Sequence, residues 1–264
     1  YRRRPGQGPE HSPSHNTALE VLWTAIPLGI VALLFYEGFV GYMELRTPPK
    51  QAYEIEVVAR KWSWLFSYPS GHKDDNLHVP VDRPVRLVMR SEDVIHGLFI
   101  PAMRVQMDIV PGRYTRTWFR ALKPGEYNLV CSQYCGTKHF DMRALVIVHP
   151  PGEFENWLAD AARAAESLSP VDRGRELYRI NGCWSCHSID GTAGTGPTFK
   201  GIYGHEVQFQ DGTSAVVDEN YIRESILDPQ AKVVRGYQPV MNTYRGVLAD
   251  EEISALIAFI KSLQ

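Results

Sequence analysis

The chain has 264 residues and a formal net charge of −2, with 44% hydrophobic and 22% charged residues, which describes a globular protein. At roughly 150 residues per domain, this length has room for two domains and an anchor. The charge balance argues against a nucleic-acid partner because no basic field exists to neutralise phosphates, and the chain has neither a glycine-rich phosphate loop nor a strand-linked GxGxxG motif.

An apolar stretch near the N-terminus predicts a membrane-spanning helix. The residues Val21–Tyr36 carry no charge, and the apolar character resumes beyond Glu37. About 20 apolar residues span a bilayer, and aromatic residues lie near both ends of this stretch, as at membrane interfaces. A buried core helix is the alternative, because Glu20 and Glu37 flank a short charge-free core.

The N-terminal residues predict the orientation of this helix. Arg2, Arg3 and Arg4 precede it, and the positive-inside rule puts such a cluster on the cytoplasmic side. Everything after Met43 is then expected outside. The chain opens on Tyr1, with no Met and no three-part secretory signal, so we expect it to begin partway through a longer precursor.

Beyond the helix breaker TPPK (47–50), short alternating segments predict a β domain. Turn signals such as VPGR (110–113) and KPGE (123–126) separate these β-branched segments. The segments are 53–59, 85–89, 114–119 and 144–148. We expect an all-β sandwich or barrel of about a hundred residues, which ends at Pro150.

The C-terminal part predicts helices instead. The stretch Glu153–Leu168 is rich in helix formers, and we expect it to be a linker helix that acts as a spacer or hinge. Further helices are expected at 171–181, 219–227 and 249–263. The last of these carries an apolar helical stripe and acidic residues at its start.

Two of the four cysteines lie in the run CSQYCGTKHFDM. Cys131, Cys135, His139 and Met142 offer two thiolates, an imidazole and a thioether, a soft ligand set that suits copper. A mononuclear blue copper site needs only one Cys, so the extra thiolate indicates two thiolates that bridge two copper ions. A second His is required, and His96 is the best candidate. Zinc is the alternative, because thiolate and imidazole suit it too.

The other two cysteines form the motif CWSCH, the attachment pattern of haem c. The thiols of Cys183 and Cys186 would form thioether bonds to the haem vinyls, and His187 would ligate the iron. Downstream, the chain offers Met241 and His205 as the other axial ligand. Met241 lies shortly before the closing helix, and resemblance to class I cytochromes c, which supply their axial Met there, implies that Met241 is the ligand. His/Met ligation raises the reduction potential relative to a bis-His site. Two electron-carrying centres in one chain indicate an electron relay.

Three motifs, SEDVIHGLFIP (91–101), VPGR and CSQYCGTKHFDM, are similar in order and spacing to subunit II of haem-copper cytochrome c oxidases. The resemblance implies a dinuclear copper A centre. Its ligands would be His96, Cys131, the backbone carbonyl of Gln133, Cys135, His139 and Met142. Many members have Glu where this chain has Gln133, and that Glu also binds magnesium. Gln133 keeps the carbonyl and lacks the carboxylate, so copper is expected and magnesium is left open.

The same resemblance assigns roles outside the ligand run. Trp62 in KWSWLF matches the residue at which electrons enter from cytochrome c, whereas Trp64 is expected to pack a sheet face. The segment HNTALEVLWTAIP (15–27) resembles the second transmembrane helix of subunit II, which implies that a first helix precedes it. Glu20 matches a carboxylate at the mouth of the proton-uptake path, with an ordinary helix-capping Glu as the alternative.

The C-terminal part resembles class I cytochromes c. The segment GPTFKG (196–201) is similar to the one whose Pro carbonyl accepts a hydrogen bond from the iron-ligating His, and this implies that role for Pro197. Members often have Pro directly after the axial Met, where this chain has Asn242. We expect this difference to alter the loop more than the ligation.

Together these segments resemble subunit II of a caa-type oxidase with a fused cytochrome c. The resemblance implies a multi-domain membrane protein with a transmembrane α-helix, a cupredoxin-like all-β Greek-key barrel and an all-α cytochrome c domain. The predicted segments are 1–17 (cytoplasmic loop), 18–46 (transmembrane helix), 47–150 (copper A domain), 151–170 (linker helix) and 171–264 (cytochrome c domain).

The implied function is that of a subunit of a proton-translocating oxidase. Electrons would pass from an external donor through haem c and copper A to the haem-copper centre of subunit I, and no dioxygen-reducing site is expected in this chain. Expected partners are subunit I, other oxidase subunits, membrane lipid and a donor, which is left open between a cytochrome c, an iron–sulfur protein and an upstream complex. The expected location is the bacterial plasma membrane, with both metal domains on the periplasmic side.

Three other classes of protein share some of these features. Quinol oxidases share the fold but lack the copper ligands, and nitrous oxide reductases need a large propeller domain for which this chain has no room. The remaining alternative is a membrane-anchored copper-delivery protein or another copper and haem electron-transfer protein.

Overall fold

The computed structural model describes Pro5, Gly6, Gly8 and residues 13–264. The arginines at positions 2–4, on which the predicted orientation depends, lie outside the described residues. The chain forms two compact units, 1–47 and 48–264.

The first unit contains one long helix, α1 (Thr17–Arg46). Asn16 caps it, since its side chain accepts a hydrogen bond from the Leu19 amide at 3.2 Å, and Glu20 Oε1 accepts one from the Asn16 amide at 3.2 Å. At about 1.5 Å per residue, α1 is roughly 45 Å long and exceeds the ~30 Å of bilayer hydrocarbon. Within the described part of the chain, α1 is the one helix long and apolar enough to cross a membrane.

Ten strands of the second unit form a sandwich of two five-stranded sheets. They are β1 (Tyr53–Arg60), β2 (Ser63–Ser67), β3 (Lys73–Asp74), β4 (Leu77–Pro80), β5 (Pro84–Ser91), β6 (His96–Ile100), β7 (Val105–Ile109), β8 (Thr115–Arg120), β9 (Gly125–Cys131) and β10 (Arg143–His149). One sheet has the order β3-β2-β1-β5-β8, and the other has β4-β10-β9-β6-β7. The pairs β1–β5 and β4–β10 are parallel, and the other neighbours are antiparallel.

Burial along the strands follows their sequence pattern. Every second residue of β5 and of β10 is buried, because alternate side chains of a strand point to opposite faces. Strands β1 and β2 differ, since consecutive residues are buried over 57–60 and 63–66. Their inner side chains join the sandwich core, whereas Val58 and Leu65 join the core of the C-terminal helical domain. The helical domain therefore covers the outer face of β1 and β2.

Helix α2 (Glu153–Ser167) packs against the sandwich with its first turns. Phe154 lies in the sandwich core. Trp157 stacks on His78, with ring centroids 3.9 Å apart and planes 5° apart, and the His78 and His149 rings are joined by a 2.8 Å nitrogen–nitrogen contact. These first turns are therefore fixed to the sandwich, and the expected role of the helix as a spacer or hinge stays a prediction.

Helices α3 (Pro170–Ile180), α4 (Glu219–Leu227) and α5 (Asp250–Lys261) form the C-terminal domain, within two residues of their expected bounds. Helices α3 and α5 pack closely because Gly174 has no side chain, and a Cβ there would overlap the Ala255 carbonyl oxygen. A hairpin of β11 (Glu206–Gln208) and β12 (Ser214–Val216) was not expected, since strands of three residues are too short to show an alternating pattern.

Candidate metal and cofactor sites

The candidate copper ligands converge at one end of the sandwich. His96 begins β6, Cys131 ends β9, and the loop from β9 to β10 supplies Cys135, His139 and Met142. The two cysteine Sγ atoms lie 3.8 Å apart. The ligand atoms of His96, Cys131 and Cys135 all lie within 4.8 Å of one another, and all three residues are buried.

The two thiols have matching surroundings. Cys131 Sγ lies 4.0 Å from His96 Nδ1 and 3.2 Å from the Gln133 carbonyl oxygen. Cys135 Sγ lies 3.5 Å from His139 Nδ1 and 3.9 Å from Met142 Sδ. Each sulfur therefore faces one imidazole and one weaker donor. Soft thiolate, thioether and imidazole groups in this arrangement fit copper.

A hydrogen bond between the two thiols shifts their pKa values in opposite directions. It lowers the pKa of Cys131 and raises the pKa of Cys135. Because metal-ligating thiols must be deprotonated, metal binding at this pair displaces a proton.

Asp93 supports the copper cluster, although the sequence analysis did not single it out. Its Oδ1 lies 2.7 Å from His96 Nε2, which leaves Nδ1 of that ring facing Cys131. Burial alone would raise the pKa of Asp93, but hydrogen bonds from His96, Asn242 and the Lys61 backbone lower it to about 2. A carboxylate three residues before a ligand His is the signal that could have identified this residue.

Trp62 lies between the copper cluster and the cavity of the helical domain. Its side chain is 4% exposed, and its indole Nε1 donates a hydrogen bond to the Cys135 carbonyl oxygen at 3.2 Å. Trp62 and Lys61 also line the cavity that contains Cys183, Cys186 and His187. Trp64, in contrast, is buried in the sandwich core, as the sequence analysis expected.

The cavity of the helical domain brings together the candidate haem ligands. Cys183, Cys186, His187 and Met241 line it. The rest of the wall is more apolar than polar, and its polar members include Lys232 and Asn242. His205 is exposed and does not line it. The two cysteines form no disulfide, so both thiols are free for thioether bonds, and these residues fit haem c.

The orientation of His187 is fixed from several sides. Its Nδ1 donates to the Pro197 carbonyl oxygen at 2.7 Å, which leaves Nε2 free for iron. The Phe199 ring stacks on the imidazole with centroids 4.5 Å apart, and Tyr178 Oη donates to the His187 carbonyl oxygen at 2.6 Å. Burial lowers the pKa of His187, which keeps the imidazole neutral as a ligand must be.

Polar contacts hold the helical domain against the sandwich. Arg179 of α3 pairs with Asp74 and Asp75, and Lys138 Nζ donates to the Ser185 carbonyl oxygen. The buried Arg60 guanidinium lies over the Tyr244 ring, 5.3 Å from its centroid. Because the two domains also share buried apolar residues on β1 and β2, the cavity is held beside Trp62.

Known protein families match both domains. The family described as cytochrome c oxidase subunit II, periplasmic domain, matches residues 70–149, and the family described as cytochrome c matches residues 171–264.

Curated relatives and solved structures are similar to the chain. Cytochrome c oxidase subunit 2 of Alkalihalophilus pseudofirmus is 28% identical over 278 residues, which cover 100% of this chain and 79% of the relative. The alternative cytochrome c oxidase subunit 2 of Bradyrhizobium diazoefficiens is 29% identical over 60% of this chain and 68% of the relative. The crystal structure of the periplasmic domain of subunit II from Bradyrhizobium japonicum is 29% identical, covers 45% of this chain and 99% of that one, and has a TM-score of 0.43.

A β-sandwich with a copper ligand cluster, joined to a helical domain with a haem attachment motif, defines an electron-transfer protein with two metal domains. The chain is homologous to cytochrome c oxidase subunit II and carries a C-terminal cytochrome c domain, a combination that fits a caa-type oxidase. The expected family, the three-part fold and a role in electron transfer within a haem-copper oxidase are confirmed. Copper binding and haem binding follow from the two domains.

Proposed function

We propose that this chain transfers electrons from an external donor, through a haem c site and a dinuclear copper A site, to subunit I of a terminal oxidase. Dioxygen is reduced to water in subunit I, and this reaction is coupled to proton translocation. The observation that carries the proposal is the position of Trp62, which lines the haem cavity and donates a hydrogen bond to the backbone of the copper loop. Bound haem iron and copper supply one-electron chemistry when both are present.

The copper site is proposed to hold two ions. Cys131 and Cys135 would hold both ions, with His96, His139, Met142 and the backbone carbonyl of Gln133 as the further donors. The 3.8 Å separation of the two sulfurs, each with its own imidazole, supports this arrangement. No magnesium site is proposed, because Gln133 lacks a carboxylate.

The haem site is proposed to bind its cofactor covalently. Cys183 and Cys186 would form the thioether bonds, and His187 and Met241 would ligate the iron. The Pro197 carbonyl oxygen orients His187 by accepting a hydrogen bond from its Nδ1–H. Met241 is favoured over His205 because it lines the cavity.

Trp62 is the proposed conduit between the two sites. Its indole ring lines the haem cavity and donates a hydrogen bond to the copper loop. An electron can therefore pass from the haem site to the copper site without diffusion of a soluble carrier. The covalent fusion keeps the haem domain at a high effective concentration beside the copper domain.

The chain is proposed to lie in a bacterial plasma membrane, with α1 as its span and both metal domains on the periplasmic side. Its partners are subunit I, other oxidase subunits, membrane lipid and an external electron donor. A role of Glu20 in proton uptake is a further proposal. The hydrogen bond of Glu20 to the Asn16 amide supports the capping role instead.

Metal and haem quantitation of the purified full chain tests this function. Two coppers and one haem per chain are expected, with a near-infrared band and a seven-line electron spin resonance pattern from a mixed-valence pair. A single copper without the near-infrared band would indicate a copper-delivery protein. Zinc in place of copper would contradict the electron-transfer role.

A further inference from the structure

Asp93 accepts hydrogen bonds from three separate parts of the chain. Its Oδ1 accepts from His96 Nε2 and from the neighbouring Val94 amide, each at 2.7 Å. Its Oδ2 accepts from the Lys61 amide at 2.7 Å and from Asn242 Nδ2 at 2.8 Å. The Asp93 side chain is only 8% exposed, so water contributes little to its solvation. A buried carboxylate is stable when several donors satisfy its oxygens, and each of these donors is therefore structurally important.

Three of these four donors lie on the proposed electron path. His96 is a candidate copper ligand, and Lys61 directly precedes Trp62. Asn242 directly follows Met241 and is the donor from the haem domain, 149 residues away in sequence from Asp93. One carboxylate thus joins the copper ligand, the proposed conduit and the loop of the axial Met.

Asn242 suits this position because its side-chain amide is a neutral donor. A Pro, which the resemblance makes common at this place, has no side-chain donor for Asp93. An Asp would place a second carboxylate against the first, and like charges at this distance repel. The residue that departs from the expected pattern therefore contacts the copper domain through Asp93.

We propose that Asn242 is a positioning residue for electron transfer between the two sites. By donating to Asp93, it fixes the Met241 loop against the copper domain and completes the hydrogen bonding of the carboxylate that orients His96. This inference rests on the proposed function, because it assumes that electrons pass between the two sites.

Other contacts keep the domains together when Asn242 is changed. The Arg179 ion pairs, the Lys138 hydrogen bond and the shared apolar core do not involve Asn242. Loss of the amide should therefore loosen the junction at Asp93 locally and leave the fold intact.

The test compares Asn242→Leu with Asn220→Leu in the full chain. Asn220 is exposed on α4 and serves as the matched control. A hydrogen bond to a charged group changes an equilibrium by about tenfold or more. Asn242→Leu should therefore lower the fraction of chains in which the Met241 loop is docked on the copper domain, and slow haem-to-copper electron transfer by up to about tenfold. Copper and haem content should stay unchanged, while the copper electron spin resonance pattern shifts because His96 is held less firmly. Asn220→Leu should change none of these.

Two further variants keep the test decisive. Asn242→Gln, which retains the amide, should recover more of the rate than Asn242→Leu. Asn242→Asp should be slower than Asn242→Leu because of repulsion from Asp93. If Asn242→Leu does not fold, the order of the Gln and Asp variants decides the question. Equal rates for these two variants would overturn the proposal.

Hydrogen exchange of the metal-free full chain provides a readout independent of activity. Asn242→Leu should speed amide exchange both at 241–244 and at 61–64, because the Lys61 amide shares the Asp93 carboxylate. Faster exchange at 241–244 alone would overturn the inference. If the wild type transfers no electrons between the sites, the proposed function fails, whereas a wild-type rate retained in Asn242→Leu defeats only the role of Asn242.

Discussion

The contact between Gly182 and Ser63 allows the packing between the two metal domains to be tested. Gly182 precedes Cys183 and has a φ of +70°, and a Cβ there would overlap the Ser63 side chain next to Trp62. Gly201 is a matched control, because its φ is +64° and a Cβ added there would meet no heavy atom within 4 Å. The left-handed conformation costs an L-residue about 1–2 kcal/mol, and this cost applies to both Gly→Ala changes.

Only Gly182→Ala also crowds the domain contact. Overpacking costs about 1–3 kcal/mol, so the total loss should be about 2–5 kcal/mol for Gly182→Ala and about 1–2 kcal/mol for Gly201→Ala. Urea unfolding of the full chain, followed by tryptophan fluorescence, measures both losses. Adding Ser63→Gly to Gly182→Ala should recover part of the difference. Equal losses for the two alanine variants would refute the close packing of Gly182 on Ser63.

Three other predictions concern the cofactor sites and the α2 contact. Met241→Ala should lower the haem reduction potential and keep the near-infrared copper band, and loss of copper would show that the sites depend on each other. Trp62→Phe, which removes the indole donor to Cys135, should slow copper reduction at unchanged copper content, and an unchanged rate would exclude Trp62 as the conduit. Burial lowers the pKa of His78 from 6.5 to about 4, so the unfolded state binds a proton that the folded state does not. Stability should therefore fall by about 2 kcal/mol as the pH drops from 6.5 to 4, and His78→Leu should flatten this slope in urea unfolding.

The sequence predicted the parts of the structure that local patterns determine. Helix α1 follows from a charge-free apolar stretch, and the long strands follow from alternation between turn signals. Most of the candidate copper and haem ligands could be named because their spacing within CSQYCGTKHFDM and CWSCH brings them together without knowledge of the rest of the fold. His96 lies outside both runs, so its assignment depended on the family resemblance. The position of Met241 could not be read from motif spacing, because it depends on how the loop before α5 folds over the cavity.

The contact between the domains could not be predicted, because it joins residues far apart in the sequence. Asp93 and Asn242 each look like ordinary polar loop residues until the fold brings them together. One signal was available in β1 and β2, where apolar residues on both faces indicate that a second layer covers the sheet. Likewise, the packing of α2 depends on the stacking of Trp157 on His78, which no local pattern reveals.

Electron transfer within a single chain is the most direct test of the central claim. Haem in the copper-loaded full chain is reduced by a rapid pulse, and haem oxidation is followed together with bleaching of the near-infrared copper band. The two signals should change at one common first-order rate that does not depend on protein concentration, because Trp62 joins the two sites within the chain. A rate proportional to protein concentration, or copper that stays oxidised beside reduced haem, would contradict this account.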